Sequence, residues 1–218
     1  MMSKKLKIAV LVSGSGSNLQ VLIDQMQAGK LNVDIIGVIS NVADAYAVTR
    51  AKNAGLRTVV LSHVPNGKRM GIKTFEKHTL ELLSEWQPDV VVLAGFMRVL
   101  SAEFIAQVPC PMINLHPSLL PNYKGLDTHA RVLAAGEAQH GCSVHVVTAE
   151  LDAGQVLTQA VLAVRHHDTA QSLQQRVQKL EHQLVPFTLE LMSKGVLDLN
   201  HLQQSANFVA LPYRLWLD

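Results

Sequence analysis

Short, unbroken apolar runs constrain this chain more than any other feature. KIAVLV (Lys7–Val12), VDIIGVIS (Val33–Ser40), TVVL (Thr58–Leu61), VVVLA (Val90–Ala94) and Met112–Leu115 lack the sustained polar–apolar alternation of a strand with one wet face. Helical patterns separate them. One runs from Asn18 to Ala28 with Gly29 as its stop, and another from Tyr46 to Ala54 with Gly55 ending it. A longer one is marked by Phe75, Leu80, Leu82, Leu83 and Trp86 and is terminated by Pro88, and Ser101 can cap a short helix. Strands that are apolar on both sides must be covered on both faces, as in a parallel sheet with helices above and below. The expected fold class is α/β, doubly wound, with a mostly parallel sheet.

The pattern changes after residue 140. SVHVV (Ser143–Val147) and VLTQAVLAV (Val156–Val164) flank a loop containing Asp152-Ala153-Gly154 and read as longer, partly antiparallel strands, a C-terminal antiparallel addition. Thr169 then opens a long helical pattern that Pro186 should kink and Gly195 should end. The chain has 218 residues, 48% of them hydrophobic, with no internal repeat, low-complexity segment or linker, so a single domain over 1–218 is expected.

Composition excludes several classes. A net charge of +2 gives no strongly basic nucleic-acid footprint. Cys110 and Cys142 are the only cysteines, without a CxxC or a spaced Cys/His set, so neither a disulfide framework nor a structural zinc site is expected. No apolar stretch reaches the length of a membrane span, and the apolar run at the N-terminus suits a first strand better than a signal peptide. The expected location is the cytoplasm.

Where the chemistry sits is suggested by two stretches. SGSGSN (Ser13–Asn18) follows the first strand and starts a helix, on the sheet edge where ligands bind. Gly14 and Gly16 permit close backbone approach, and free N–H groups at a helix start favour an anion. Leu19 replaces the third glycine of a dinucleotide fingerprint, and no lysine follows to make a Walker loop. GxSxG is absent as well. The loop points to a single phosphate, with a plain helix cap as the alternative. INLHPSLLP (Ile113–Pro121) ends a strand with Asn114 and His116 two residues apart, hence on one face, and Pro117 stops the ladder at once. With Asp152 these make a carboxylate, an imidazole and an amide donor. Each alone has a bland explanation. Together they can stabilise an oxyanion and move a proton, the carboxylate raising the imidazole pKa.

SGSGSNLQ (13–20), SNVADA (40–45), PDVVVLAGFMRVLS (88–101), NLHPSLLPNYKGLDTH (114–129), GCSVHVVTAELDAGQV (141–156) and QKLEHQLVP (178–186) occur in this order. With them the chain resembles the folate-dependent phosphoribosylglycinamide formyltransferase family of purine (IMP) biosynthesis, from Lys7 to about Gly195. The resemblance implies a Rossmann-like fold and transfer of the formyl group of 10-formyltetrahydrofolate, a co-substrate, to the amine of glycinamide ribonucleotide (GAR), with no metal. It implies Asn114, His116 and Asp152 as the catalytic set, with His116 protonated. Gly16, Ser17 and Asn18 would hold the phosphate, and Gln178, Lys179, Leu180 and Glu181 would approach the ribose and glycinamide, Glu181 most directly. Met97, Arg98, Val99 and Leu100 would line the pterin slot with Asn114, and Thr148, Ala149, Glu150, Leu151 and Asp152 would form the loop closing over it.

The asparagine–histidine–aspartate set is shared by a wider superfamily and identifies only the chemistry. The phosphate loop and short length favour the glycinamide enzyme over a methionyl-tRNA formyltransferase or a 10-formyltetrahydrofolate hydrolase, each expected to carry a further domain. The hydrolase and a non-catalytic nucleotide-binding module are the alternatives. A monomer or homodimer acting on small molecules, without nucleic-acid or membrane partners, is expected. Lys124, Asp127, Ala149 and Ala153 depart from the family pattern, the last two within the folate loop. SHVPNGKRMGIK (62–73) matches poorly, and Arg69 and Lys73 are candidates to meet a folate glutamate tail. His166-His167 is read as solvated surface, because adjacent side chains diverge.

Overall fold

The computed structural model describes residues 4–62, 71–199 and 213–216, excepting the side chains of 213 and 216. Arg69 lies outside the described residues. Two compact units divide the chain, Met1–Ile113 and Asn114–Asp218.

The first unit alternates strand and helix: β1 (Leu6–Val12), α1 (Ser17–Gln27), β2 (Val33–Ser40), α2 (Tyr46–Asn53), β3 (Thr58–Val60), α3 (Ile72–Trp86), β4 (Val90–Leu93) and α4 (Ala102–Gln107). Its strands lie in the order β3-β2-β1-β4 and all pair parallel. Continuous apolar runs become strands buried on both sides, as the pattern requires. Ile8 to Val12 expose no surface, and every residue of β4 is buried. VDIIGVIS holds a glycine mid-strand for a packing reason. A Cβ on Gly37 would lie 2.1 Å from the ring of Trp86, so α3 can seat its indole on β2 only where no side chain intervenes. Ser101 does cap α4, its hydroxyl accepting from the Phe104 N–H at 3.1 Å.

β5 (Met112–His116) begins in the first unit and ends in the second. The second unit continues with α5 (Thr128–Ala134), β6 (Gln139–Val146), β7 (Val156–Ala163), α6 (Ala170–Ser193) and β8 (Tyr213–Trp216), in the strand order β5-β6-β7-β8. β6 and β7 are antiparallel, while β7 and β8 are parallel. The architecture is α/β with a mostly parallel sheet and an antiparallel pair, as expected. β6 begins at Gln139 rather than Ser143. Two elements are additional to the sequence reading: α5 and β8 are too short to show a period. Pro186 lies inside one uninterrupted helix, whose N-terminus is closed by a reciprocal cap between Thr169 and Ser172.

Both β6 and β7 are buried along nearly their whole length, yet they carry polar residues. His140 of β6 is 1% exposed, and its Nε2 sits 3.0 Å from Nδ1 of His129 on α5. One nitrogen must donate and the other accept, so this contact suits two neutral rings. Burial, with the neighbouring histidines, lowers the His140 pKa from 6.5 to about 4, and burial likewise lowers those of His129 and His182. A folded-state pKa below the unfolded one means that the unfolded chain takes up the proton more readily. The associated stability is therefore complete above about pH 6.5 and is lost as pH falls toward 4. The thermal midpoint is expected to drop across that window. Replacing His140 by Gln should flatten the drop by up to about 3 kcal/mol at roughly 1.4 kcal/mol per unit, as read by calorimetry from pH 7.5 to 4.5. An unchanged pH slope in H140Q would exclude this pair as its source.

Candidate active site

In the second unit the predicted trio meets. Asn114 and His116 are both on β5, and His116 is 5% exposed. Asp152, 8% exposed, lies in the turn between β6 and β7 with φ of 49°. His116 Nδ1 lies 3.4 Å from Asp152 Oδ2, and His116 Nε2 lies 3.0 Å from the Tyr123 carbonyl oxygen. A carbonyl only accepts, so Nε2 carries the hydrogen. The Gly125 N–H donates to Asp152 Oδ2 at 2.9 Å. The segment joining β5 to α5 therefore touches both the imidazole and its carboxylate.

A fourth member was not anticipated. His145, 1% exposed on β6, places Nε2 at 3.0 Å from Asn114 Nδ2 and 3.6 Å from Asp152 Oδ1. Its Nδ1 is 2.9 Å from the Val146 carbonyl, to which it donates, leaving Nε2 to accept from the Asn114 amide. One amide hydrogen of Asn114 is thus committed, and the group has a second. The signal in the sequence was a histidine inside the apolar run SVHVV, which reads as strand alone. Gly154 closes the turn because a Cβ there would lie 1.9 Å from the Val146 carbonyl oxygen.

Electrostatics correct one expectation. Burial is the largest influence on His116 and lowers its pKa below 6.5, against the opposing pull of the Tyr123 carbonyl and the Asp152 carboxylate. Asp152 does raise the imidazole pKa, but by less than burial lowers it, so His116 is not the standing imidazolium expected from sequence. Burial alone would raise Asp152. The neighbouring His145, the Gly125 N–H that it accepts and the neighbouring His116 instead hold it below the usual carboxylate range, so it is ionised at neutral pH.

The first unit organises the other candidate residues at the ends of its strands. Gly16 has φ of 70°, and its missing Cβ would lie 2.6 Å from Cβ of Ala47, so glycine is required by backbone and space alike. α1 starts at Ser17, and Asn18 is buried in its first turn. Ser13 Oγ donates to Asn41 Oδ1 at 2.6 Å and accepts from the Met97 N–H at 2.8 Å, tying the loops after β1, β2 and β4 together. Met97 and Val99 are 73% and 71% exposed, while Leu100 is buried. Exposed apolar side chains beside one another suit a flat apolar ligand. Arg98 lies over the Phe75 ring, 5.4 Å from its centroid. Glu76, 5% exposed on α3, is a further residue that sequence reasoning missed. Its carboxylate accepts from the Ser101 N–H at 2.6 Å and the Ser101 hydroxyl at 2.9 Å, anchoring the end of this segment.

Gln178, Lys179, Leu180 and Glu181 are successive on α6 and so fan around it. Gln178 and Lys179 are exposed, Glu181 is half-buried, and Leu180 faces the core. Thr148, Ala149 and Glu150 are exposed, as is Leu151 at 54%. Lys124 reaches Glu150 at 3.2 Å. Lys73 is exposed in the first turn of α3, and His166 and His167 are exposed in a turn. Among the described residues no three His, Cys, Asp or Glu side chains form a metal-holding group. No described helix is long and apolar enough to cross a membrane.

The chain has known counterparts. The chain is 40% identical over 195 residues to the phosphoribosylglycinamide formyltransferase of Escherichia coli K12, covering 89% of this chain and 91% of that protein. It is 41% identical over 196 residues to the trifunctional purine biosynthetic protein adenosine-3 of Bos taurus, of whose length it spans 19%. The solved phosphoribosylglycinamide formyltransferase of Coxiella burnetii superposes with a TM-score of 0.80 at 44% identity, over 88% of each chain. Glycinamide ribonucleotide transformylase 1 of Symbiobacterium toebii superposes at 0.82 with 34% identity, over 89% of this chain and 90% of the other. The formyl transferase family profile matches residues 6–189, which hold the trio and the Ser13–Asn18 loop alike, and this chain belongs to that family.

Proposed function

We propose that this chain transfers the formyl group of 10-formyltetrahydrofolate to the amine of glycinamide ribonucleotide, a step of purine biosynthesis, and that Asn114, His116 and Asp152 are its catalytic residues. The observation that carries the assignment is the buried cluster in which an ionised carboxylate faces an imidazole and an amide donor at the end of one strand. Its relatives named for this reaction match both units of the chain, which supports reading them as one functional domain.

The substrate amine attacks the formyl carbon, whose oxygen gains negative charge as the bond forms. Asn114 donates its second amide hydrogen to that oxygen, and His116 donates from Nε2 once the Tyr123 carbonyl gives way. A neutral ring suffices for this donation, so the lowered pKa of His116 is compatible with it. Asp152, beside Nδ1 of the ring, accepts the proton that the amine must shed. That proton then passes to the folate nitrogen as its bond to the formyl carbon breaks. Gly16, Ser17 and Asn18 hold the substrate phosphate with backbone N–H groups at the start of α1. Gln178, Lys179, Leu180 and Glu181 belong to the side that takes the ribose and glycinamide, with Leu180 contributing through the backbone. Met97, Arg98, Val99 and Leu100 take the pterin, and Thr148, Ala149, Glu150 and Leu151 cover it. A cytoplasmic enzyme, monomeric or dimeric, without nucleic-acid or membrane partners and without a metal, completes the proposal.

Folate product formed only when glycinamide ribonucleotide is present identifies the transferase. Equal rates with and without the ribonucleotide would mean hydrolysis. In His116→Ala the loss of one oxyanion donor is expected to cost about 2.7–4 kcal/mol in turnover with little change in KM. A near-normal kcat in that variant would remove His116 from the mechanism. Gly16→Ala combines a left-handed backbone with a contact at 2.6 Å. It should raise KM for the ribonucleotide while kcat at saturation persists, and an unaltered KM would argue against phosphate binding at this loop.

A further inference from the structure

Behind the strand end that carries His116 lies a polar cluster with no part in the steps above. We infer that Gln159 of β7 is a positioning residue for His116, acting through the Ser118–Leu120 segment and oriented by Arg214 of the C-terminal strand β8. This rests on the reading of His116 as a catalytic residue.

The cluster is closed in hydrogen-bond terms. Ser143 of β6 is fully buried, and its hydroxyl donates to the Ser118 carbonyl at 2.7 Å. The same oxygen accepts from the Leu120 N–H at 3.1 Å and from Gln159 Nε2 at 3.0 Å. Its one hydrogen and both lone pairs are used. Gln159, 1% exposed, places its other amide hydrogen on the Leu120 carbonyl at 2.9 Å. Its Oε1 accepts from Arg214 Nε at 3.2 Å. Arginine can only donate and a carbonyl can only accept, so the two ends of the amide are distinguished without ambiguity. Ser118 returns to the strand end by donating its own N–H to the His116 carbonyl at 2.9 Å.

Only Gln159 among these groups reaches both Leu120 and Ser143 through its side chain. Two prolines, Pro117 and Pro121, bracket the segment and cannot donate to a ladder. The chain just after His116 is anchored by Ser143 and Gln159, by the Thr128 hydroxyl on the Pro117 carbonyl at 2.7 Å and by the Ser118 hydroxyl on the Asn122 carbonyl at 2.7 Å. A buried carbonyl without its donor is costly, so Leu120 must shift to find another if Gln159 loses its amide. A shift of about 1 Å at a reacting group can cost roughly a hundredfold in rate.

Gln159→Met keeps the length of the side chain and removes both donors. Arg214→Ala leaves the core residues intact and removes the group that orients the amide. The experiment measures kcat per folded molecule, KM for both substrates and the thermal midpoint, with His116→Ala as reference. Gln159→Met is expected to lower kcat roughly 10- to 100-fold while both KM values stay within about threefold of wild type, and Arg214→Ala should lower kcat less, in the same pattern. A role confined to stability would lower the midpoint alone. Wild-type kcat per folded molecule in both variants overturns the inference. If Gln159→Met does not fold, Arg214→Ala decides in the same way. Wild-type turnover in His116→Ala overturns this inference together with the catalytic assignment. An inactive His116→Ala beside a fully active Gln159→Met overturns the role of Gln159 alone.

Discussion

The carboxylate of Asp152 is the group to which the polar interior of the second unit answers. It is 8% exposed, and the Gly125 N–H is a donor that meets its charge. One oxygen takes the Gly125 N–H and faces Nδ1 of His116, and the other faces Nε2 of His145. Those partners fix the geometry around it. Gly125 brings the segment after β5 to the carboxylate, His116 brings the strand end itself, and His145 brings β6 and through it the amide of Asn114. Three pieces of chain thus converge on one side chain.

Such a site cannot be built on strands that are merely apolar. β6 and β7 are buried like the central strands of a covered sheet, yet His140, Ser143, His145, Thr158 and Gln159 are all nearly inaccessible. Their contacts pair a donor with an acceptor: His140 with His129, Ser143 with Ser118, Leu120 and Gln159, and Thr158 with Thr188. Paired in this way, buried polar groups rigidify the core, whereas each unpaired one would cost about 1–3 kcal/mol. Their low tolerance for rearrangement is what a reacting group needs from its support.

The frame of the molecule was legible in the sequence because burial on two faces leaves a continuous apolar run, and VVVLA or VDIIGVIS admits few other readings. Helix ends were legible where one residue type does one job, as with Gly29, Gly55 and the Ser101 cap. Within the candidate site, Asn114, His116 and Asp152 could be picked out because polar residues at strand exits and turns break a pattern. His145, Ser143, Gln159 and Glu76 could not. Each sits inside an apolar strand or helix and owes its role to partners far away in the chain, such as Ser101 for Glu76 at a separation of 25 residues. The lowered pKa of His116 was hidden for the same reason: a carboxylate partner can be guessed from residue types, but the degree of burial depends on the finished packing.

The backbone around His116 shows how much is asked of that packing. Both groups that face its ring come from residues other than glycine with positive φ, Tyr123 at 56° and Asp152 at 49°. This left-handed region costs an L-residue on the order of 1–2 kcal/mol. Glycine would remove that cost, and at position 152 it would remove the carboxylate as well. At position 123 the contact uses the backbone carbonyl, so the side chain is not what the ring requires; the tyrosine hydroxyl instead donates to Glu137 at 2.7 Å. The strained peptide at Tyr123 thus holds the one hydrogen of His116 that a substrate oxygen would need. A carbonyl kept in place by an unfavourable backbone conformation gives up less on leaving than one held in a relaxed turn, which suits an acceptor that must yield to substrate.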